Sequence, residues 1–374
     1  MKKTFMLIPF AAMLLTSCGK AEYKLPGGYK AVDLTSAEAI DDYCKKLGEN
    51  IQTTYKSFRE KGIEVGAKVH FDRIYSYDKY MYGGELIDDN ETTAEGINAN
   101  ITLRATGFDK DIRNWKVAAD LEKLSAKIDH VDHIDEKENA SIRVKNAALS
   151  LYFGDDRLMV DLSDKNLKKS AEKVIDGVLP DEDTAELYKT FVPTICQKYM
   201  ADGILKLAGL LPSNETEAEG FEYVVLPEAL DEADIENDVV SSVRGIMTLL
   251  GTVEELAAVK DAFTFAMYKD GRLGLGVNGD ISPLLGSEEF DVSAMVLFNK
   301  LGELETVKFG YSSKSEDNYS YENYPDDPTD DESEIKREEI KGHIEVELKY
   351  GVKKIKAPND KDYKGLPIAL IIGD

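Results

Sequence analysis

Alternation of apolar and polar residues restricts the fold of this chain more than any other feature of its sequence. Val65, Ala67, Val69 and Phe71 alternate with polar residues, and residues 97–105 repeat the pattern. A period of two places the apolar side chains on one face of a β-strand. Further strands are predicted at residues 149–153, 158–162, 263–268, 272–280, 290–298, 303–311 and 344–348. Strands with one apolar face predict an antiparallel sheet that helices cover on one side.

Three segments have helical spacing instead. The first begins at Thr35 or Ser36, where a hydroxyl can cap a helix, and ends at Gly62. The other two predicted helical segments are residues 165–211 and 233–259. The sequence therefore predicts an α+β protein.

Two stretches are less simple to assign. Residues 117–131 fit either a helix or a strand, and their position among strands favours a strand with a bulge near Glu122. Residues 312–334 are polar and acidic and contain two prolines, so they predict a mobile loop.

The length of 374 residues suits one large domain, predicted at residues 35–374. A similarity between residues 150–158 and 265–273 leaves open a duplication, with two similar units at 35–211 and 212–374. Two β-hairpins with Asp-rich turns also resemble each other without any duplication.

Composition excludes several classes of protein. The formal net charge of −25 repels nucleic-acid phosphates, so nucleic acid is not a predicted partner. A hydrophobic content of 43% excludes a wholly disordered chain. Besides Cys18, only Cys44 and Cys196 are cysteines, and the sequence leaves open whether they pair or remain separate thiols.

Short motifs give no catalytic, cofactor or metal site. Residues 274–279 spell G-x-G-x-x-G, but they lie in a predicted strand with no helix after them. Ser170 and Ser333 each begin an S-x-x-K match, and the Lys-Thr-Gly element that accompanies this nucleophile motif is absent. His130 and His133 lie among carboxylates, and on a strand their spacing would turn them to opposite faces. We therefore predict that the protein is not an enzyme.

The first residues combine positive charge, an apolar run and a short motif that ends in cysteine. Lys2 and Lys3 precede an apolar run too short to span a bilayer, and Leu15-Thr16-Ser17-Cys18 follows. This arrangement resembles the signal and lipobox of bacterial lipoproteins. The resemblance implies a signal peptide at 1–17, which is removed, and a diacylated Cys18 that anchors the protein to the membrane. Residues 18–34 would be a flexible lipidated tether. The protein would face the periplasm or the exterior in a bacterial cell envelope.

The order of elements also resembles the lipid-carrier half-barrel family of bacterial envelopes, which includes Lol-type carriers and mycobacterial lipid-binding lipoproteins. This resemblance implies a curved, mostly antiparallel sheet with the N-terminal helix and further helices on its concave face. It also implies that the protein binds an apolar or amphipathic ligand such as a lipid. The candidate cavity lining is Phe191, Ile195, Tyr199, Leu205, Phe265, Val292 and Val296. The alternative is a surface lipoprotein that contacts another molecule and has no small ligand.

Overall fold

The computed structural model describes residues 23–110, 114–134, 139–154, 157–161, 226–282, 289–321, 332–352, 354–358 and 364–367. These residues form an α+β fold with one large, curved, unclosed antiparallel sheet. The strands are β1 (Tyr29–Ala31), β2 (Ile63–Tyr82), β3 (Glu85–Thr106), β4 (Lys116–Asp132), β5 (Ala140–Gly154), β6 (Arg157–Asp161), β7 (Phe263–Tyr268), β8 (Leu273–Asp280), β9 (Glu289–Phe298), β10 (Leu304–Tyr321), β11 (Glu332–Tyr350) and β12 (Lys364–Pro367).

The helices of the described residues form two groups. Helix α1 (Ala37–Lys61) precedes β2. Helix α2 (Glu232–Ile235) continues through a π-helical turn (Glu236–Val240) into α3 (Ser241–Thr252). A 3₁₀ turn (Glu254–Leu256) and α4 (Ala257–Lys260) then lead into β7.

The strand order shows how the two halves of the chain meet. It is β1-β7-β8-β9-β10-β11-β2-β3-β4-β5-β6-β12 among the described strands. Each half contributes a helical segment followed by an antiparallel meander, β2 to β6 and β7 to β11, and β11 pairs with β2. The similar residues 150–158 and 265–273 occupy different places in these meanders, because the first ends its meander and the second begins the other. Whether the halves are separate domains stays a prediction.

Helix α1 forms where the sequence predicts it. The Ser36 hydroxyl accepts a hydrogen bond from the Ala39 N–H, and Gly62 follows the last helical residue with a positive φ of 69°. Ile40, Tyr43 and Leu47 lie on the buried side of the helix. They pack against sheet residues Phe265 and Val296, so α1, from the first half of the chain, covers strands of the second half.

The sheet has two faces with different chemistry. The helix face carries Val296, Val307 and Val346, which belong to or pack against the core cluster that contains α1 and α3. Alternate residues of the same strands, such as Met295 and Lys308, point to the opposite side, which we call the outer face. Each buried aliphatic side chain stabilises the fold by about 1.5–3 kcal/mol.

The structure confirms the strand at 117–131 and its bulge. The pairing of β4 with β5 shifts between Leu121 and Leu124, and Lys123 has a positive φ of 56°. This extra residue breaks the alternation of the strand, which explains why the pattern also fitted a helix.

The predicted loop at 312–334 is wrong at both ends. Strand β10 continues to Tyr321, and β11 begins at Glu332. Polar cross-strand partners support these extensions, for example Arg337 and Glu316, whose charged groups lie 3.1 Å apart. Because polar residues occupy both faces here, the strands lack the apolar alternation that would have predicted them.

Candidate functional site

The N-terminal segment of the described chain is docked on the sheet rather than free. Residues 23–31, which we call the strap, cross the outer face and then pair with β7 as β1. Tyr23 is only 8% exposed and packs with Met295 and Leu297. The flexible tether predicted at 18–34 is therefore too long, since its part from Tyr23 onward belongs to the fold.

A closed set of hydrogen bonds fixes the start of the strap. The Tyr23 N–H donates to Ser293 Oγ at 2.7 Å, and the Ser293 hydroxyl donates to Asn278 Oδ1. The Asn278 amide completes the set by donating to the Tyr23 carbonyl at 2.9 Å. Each polar group at this position has a partner, so the backbone of Tyr23 is held in one place.

The Tyr23 side chain reaches a charged pair on the next strands. Its hydroxyl donates to Glu345, and Glu345 pairs with Lys308 at 3.2 Å. Burial and the charge of Glu345 raise the pKa of Tyr23. Burial alone would raise the pKa of Glu345, but hydrogen bonding and attraction from Lys308 hold that pKa below its usual value. The phenol thus stays neutral and donates to a charged carboxylate.

Two glycines of β8 lie beneath the strap, and one of them, Gly274, makes room for it. A Cβ atom at Gly274 would lie 2.9 Å from Leu25 Cδ2 and 3.0 Å from Tyr29 Cε1. A Cβ atom at Gly276 would lie 3.6 Å from Leu25 Cγ, which is ordinary contact. These residues lie within β8, as predicted, so the G-x-G-x-x-G pattern has a packing role here. Sequence analysis recognised the glycines but had no signal for what covers them.

Aromatic contacts hold the other end of the strap at the sheet edge. The rings of Tyr29 and Tyr268 meet edge to face with centroids 5.4 Å apart. The Arg272 guanidinium lies 4.2 Å from the centroid of the Tyr268 ring. Gly28 has a φ of +97°, and a Cβ there would lie 2.4 Å from Tyr268 Cε2, so only glycine fits this turn.

Two histidines lie beside Glu345 on the outer face. His70 and His343 are cross-strand partners with ring centroids 5.0 Å apart. The ring nitrogens of His70 lie 2.6 Å from Asn98 Oδ1 and 2.8 Å from Asp72 Oδ1. Burial and the neighbouring His70 lower the pKa of His343. The described residues contain no group of three or more His, Cys, Asp or Glu side chains arranged to hold a metal.

The structure brings together only part of the predicted cavity lining. Phe265 and Val296 are buried in one cluster with α1, and Val292 lies in a neighbouring cluster with Val277 and Tyr311. These three side chains contact other core residues. The remaining predicted lining residues, Phe191, Ile195, Tyr199 and Leu205, lie outside the described residues, as do Cys18, Ser170 and Cys196. Cys44 is a buried free thiol.

A buried serine and a buried carboxylate meet a partly exposed lysine where α1 packs on the turn between β9 and β10. Ser57 donates to Glu303 at 2.6 Å, and Lys61 reaches both Ser57 and Glu303. Ser57 and Glu303 are both buried, with 4% of each residue exposed. Lys61 forms an ion pair with the Glu303 carboxylate at 2.7 Å. This cluster joins α1 to the turn, and the S-x-x-K search missed it because its spacing differs.

The comparisons with known proteins add no family to these observations. No protein-family model matches the chain, and comparison with curated proteins gave no match. None of the helices in the described part of the chain is long and apolar enough to cross a membrane.

Proposed function

We propose that this protein is a lipid-anchored, non-catalytic protein of the bacterial cell envelope, attached through an acylated Cys18. The lipobox-like sequence before Cys18 carries this proposal, and the docked strap fixes where the anchored chain joins the sheet, at Tyr23. An anchor at Cys18 would hold the folded domain close to the membrane, because only a few residues separate Cys18 from Tyr23. The lipobox-like residues Leu15–Cys18 supply the acylation site.

The anchor is tested by removing the one thiol that can carry it. Cys18→Ala is expected to abolish incorporation of an alkyne fatty acid in cells, because the thioether-linked lipid needs a cysteine at this position. Cys196→Ala is the matched control and should label like the wild type. Equal labelling of Cys18→Ala and wild type would refute the proposal.

We further propose that the helix face is the concave face of a half-barrel and binds an apolar or amphipathic ligand such as a lipid. The support is a row of apolar residues in direct cross-strand register, Ile340, Ile74, Ala94 and Ile128, which we call the isoleucine row. Its three isoleucines are half-buried, so each retains apolar area that a ligand could remove from water. This row replaces Phe265, Val292 and Val296, which lie in the packed core, as the candidate contact surface.

Ligand binding is tested with a fluorescent fatty acid and by native mass spectrometry of the gently purified protein. Ile74→Thr is expected to weaken binding of the probe, whereas Val131→Thr, a half-buried position on the outer face, should bind like the wild type. Absence of both probe binding and co-purifying lipid would refute the ligand proposal and leave the anchor untouched.

A second candidate function is contact with another protein through the turn between β2 and β3. Tyr82, Leu86 and Ile87 are 41%, 41% and 53% exposed there. Clustered exposed apolar side chains are typical of interaction surfaces. A photo-crosslinker at position 87 that gives a discrete adduct in intact cells, with no lipid bound to the purified protein, would favour this alternative.

A further inference from the structure

The strap leaves a short connection between the sheet and the proposed anchor. Cys18 and Tyr23 are five residues apart in the sequence. An extended chain spans at most 3.3–3.6 Å per residue, so the backbone of Tyr23 lies within about 18 Å of the acylated cysteine. If the chain were instead free as far as Val32, the acylated cysteine could lie about 50 Å from the first docked residue. Docking of the strap therefore greatly shortens the distance that the folded domain can move away from the anchor.

The attachment point also selects one face of the sheet. Tyr23 packs on Met295 and Leu297, whereas the intervening residue Val296 contacts the core that holds α1. The strap and α1 thus lie on opposite sides of the same strands. A chain that leaves Tyr23 for the bilayer starts from the outer face, and α1 is separated from it by the thickness of the sheet.

The charge of the outer face suits a headgroup layer better than the charge of the whole chain does. Basic and acidic side chains are interspersed there, as the pairs Lys308–Glu345, Lys341–Asp72 and Lys349–Glu64 show. The complete chain has a formal charge of −25. A face with both signs avoids the strong repulsion that a uniformly acidic surface would meet at anionic lipids.

We propose that the outer face of the sheet around the strap is the surface that the protein turns toward the phospholipid headgroups. This orientation rests on the proposed lipid anchor at Cys18. The strap sets the orientation, and Gly274 is the position that allows Leu25 and Tyr29 to dock. The helix face, with α1, points away from the bilayer.

The orientation is tested with the full-length, acylated protein reconstituted in phosphatidylethanolamine–phosphatidylglycerol vesicles. A clickable non-natural residue carries a fluorophore at position 349 or at position 49, and the headgroups carry the acceptor. Lys349 lies on the outer face with a 71% exposed side chain, and Glu49 lies on α1 with a 51% exposed side chain. Position 349 is expected to lie nearer the headgroups than position 49 by about 10 Å or more, which is the spacing between a sheet and the helix layer packed on it.

The strap variant separates this inference from the anchor itself. Gly274→Val is expected to displace Leu25 and to abolish the difference in energy transfer between positions 349 and 49. The protein should still float with the vesicles. Gly66→Val is the control, because a Cβ there meets nothing within 4 Å. Equal energy transfer from positions 349 and 49 in the acylated wild type would refute the proposed orientation but not the proposed anchor. Failure of the wild type to float would instead refute the anchor.

Discussion

At the scale of the residue, Glu303 shows how a charged group is kept inside the protein. It is 4% exposed and accepts hydrogen bonds from Ser57, Lys61 and Asn299. Burial alone would raise the pKa of Glu303, but these hydrogen bonds outweigh burial and lower the pKa. A carboxylate whose folded pKa is depressed contributes stability above its ordinary pKa of 4.5, and that stability is lost as the pH falls through the folded value.

We expect Glu303→Ala to lower the free energy of unfolding by about 1–3 kcal/mol at pH 7, since it leaves buried donors without an acceptor. Urea unfolding at pH 7 and at pH 4 measures this loss, which should be smaller at pH 4. Glu49→Ala is the control, because its ion pair with Lys46 is on the surface and contributes little. Equal losses for the two variants would contradict the structural role of Glu303.

His343 gives the second prediction at this scale, and its sign is opposite to that of a stabilised cation. Burial and the neighbouring His70 lower its pKa from 6.5, so the folded state resists protonation. Between the folded pKa and 6.5 the unfolded chain binds more protons, and stability falls as the pH drops below 6.5. His343→Gln should therefore flatten the dependence of the urea midpoint on pH between 7.5 and 5. This range extends about one pH unit or more on either side of 6.5, the ordinary pKa of histidine.

His133→Gln is the control for the His343 prediction. His133 follows β4, and its side chain is exposed, so its replacement should leave the pH dependence of the wild type unchanged. If His343→Gln and His133→Gln gave the same profile as the wild type, the lowered pKa of His343 would have no consequence for stability.

At the scale of the element, docking of the strap depends on the absence of a side chain in β8. A valine at position 274 places its Cβ 2.9 Å from Leu25 Cδ2, which requires the strap to move. We expect Gly274→Val to increase amide hydrogen exchange in residues 23–31 and to leave exchange in β2 and β3 unchanged. Overpacking of this kind costs about 1–3 kcal/mol.

The matched variant Gly66→Val should leave exchange in the strap as in the wild type. Gly66 lies in β2 with free space at its Cβ position. If amide exchange in residues 23–31 were equally slow in both valine variants, the contact of Leu25 with Gly274 would not be what holds the strap.

At the scale of the whole molecule, the two halves of the chain depend on each other. Strand β11 pairs with β2 along both strands, from Glu332–Tyr82 to Tyr350–Ile63. Helix α1 from the first half covers Phe265 and Val296 from the second. Separation of the halves would expose a long strand edge in each and remove α1 from the second core.

We therefore expect residues 23–225 and 226–374 to aggregate when each is expressed alone, and to form a soluble complex when they are co-expressed. Size-exclusion chromatography and circular dichroism measure the outcome. Two separately soluble fragments with cooperative unfolding would contradict this interdependence and favour two independent domains.

The sequence by itself determined those elements whose side chains follow one period. The α1 boundaries were predictable because Ser36 caps the helix, Gly62 ends it and apolar residues recur at helical spacing between them. Strand β4 was predictable because residues 117–131 lie among other predicted strands, although their own pattern also fits a helix. Local chemistry was sufficient for α1, whereas the assignment of β4 needed the order of the neighbouring elements.

Only the tertiary structure decided which surfaces meet. The extensions of β10 and β11 are held by cross-strand partners such as Arg337 and Glu316, which a single segment does not reveal. The strap was taken for a tether because residues 18–34 have no periodic apolar pattern of their own. The buried Tyr23 and the partly buried Leu25 pack against Leu297 and Gly274, about 250 or more residues away in the chain. Contacts between such distant segments arise from packing, for which the local sequence contains no signal.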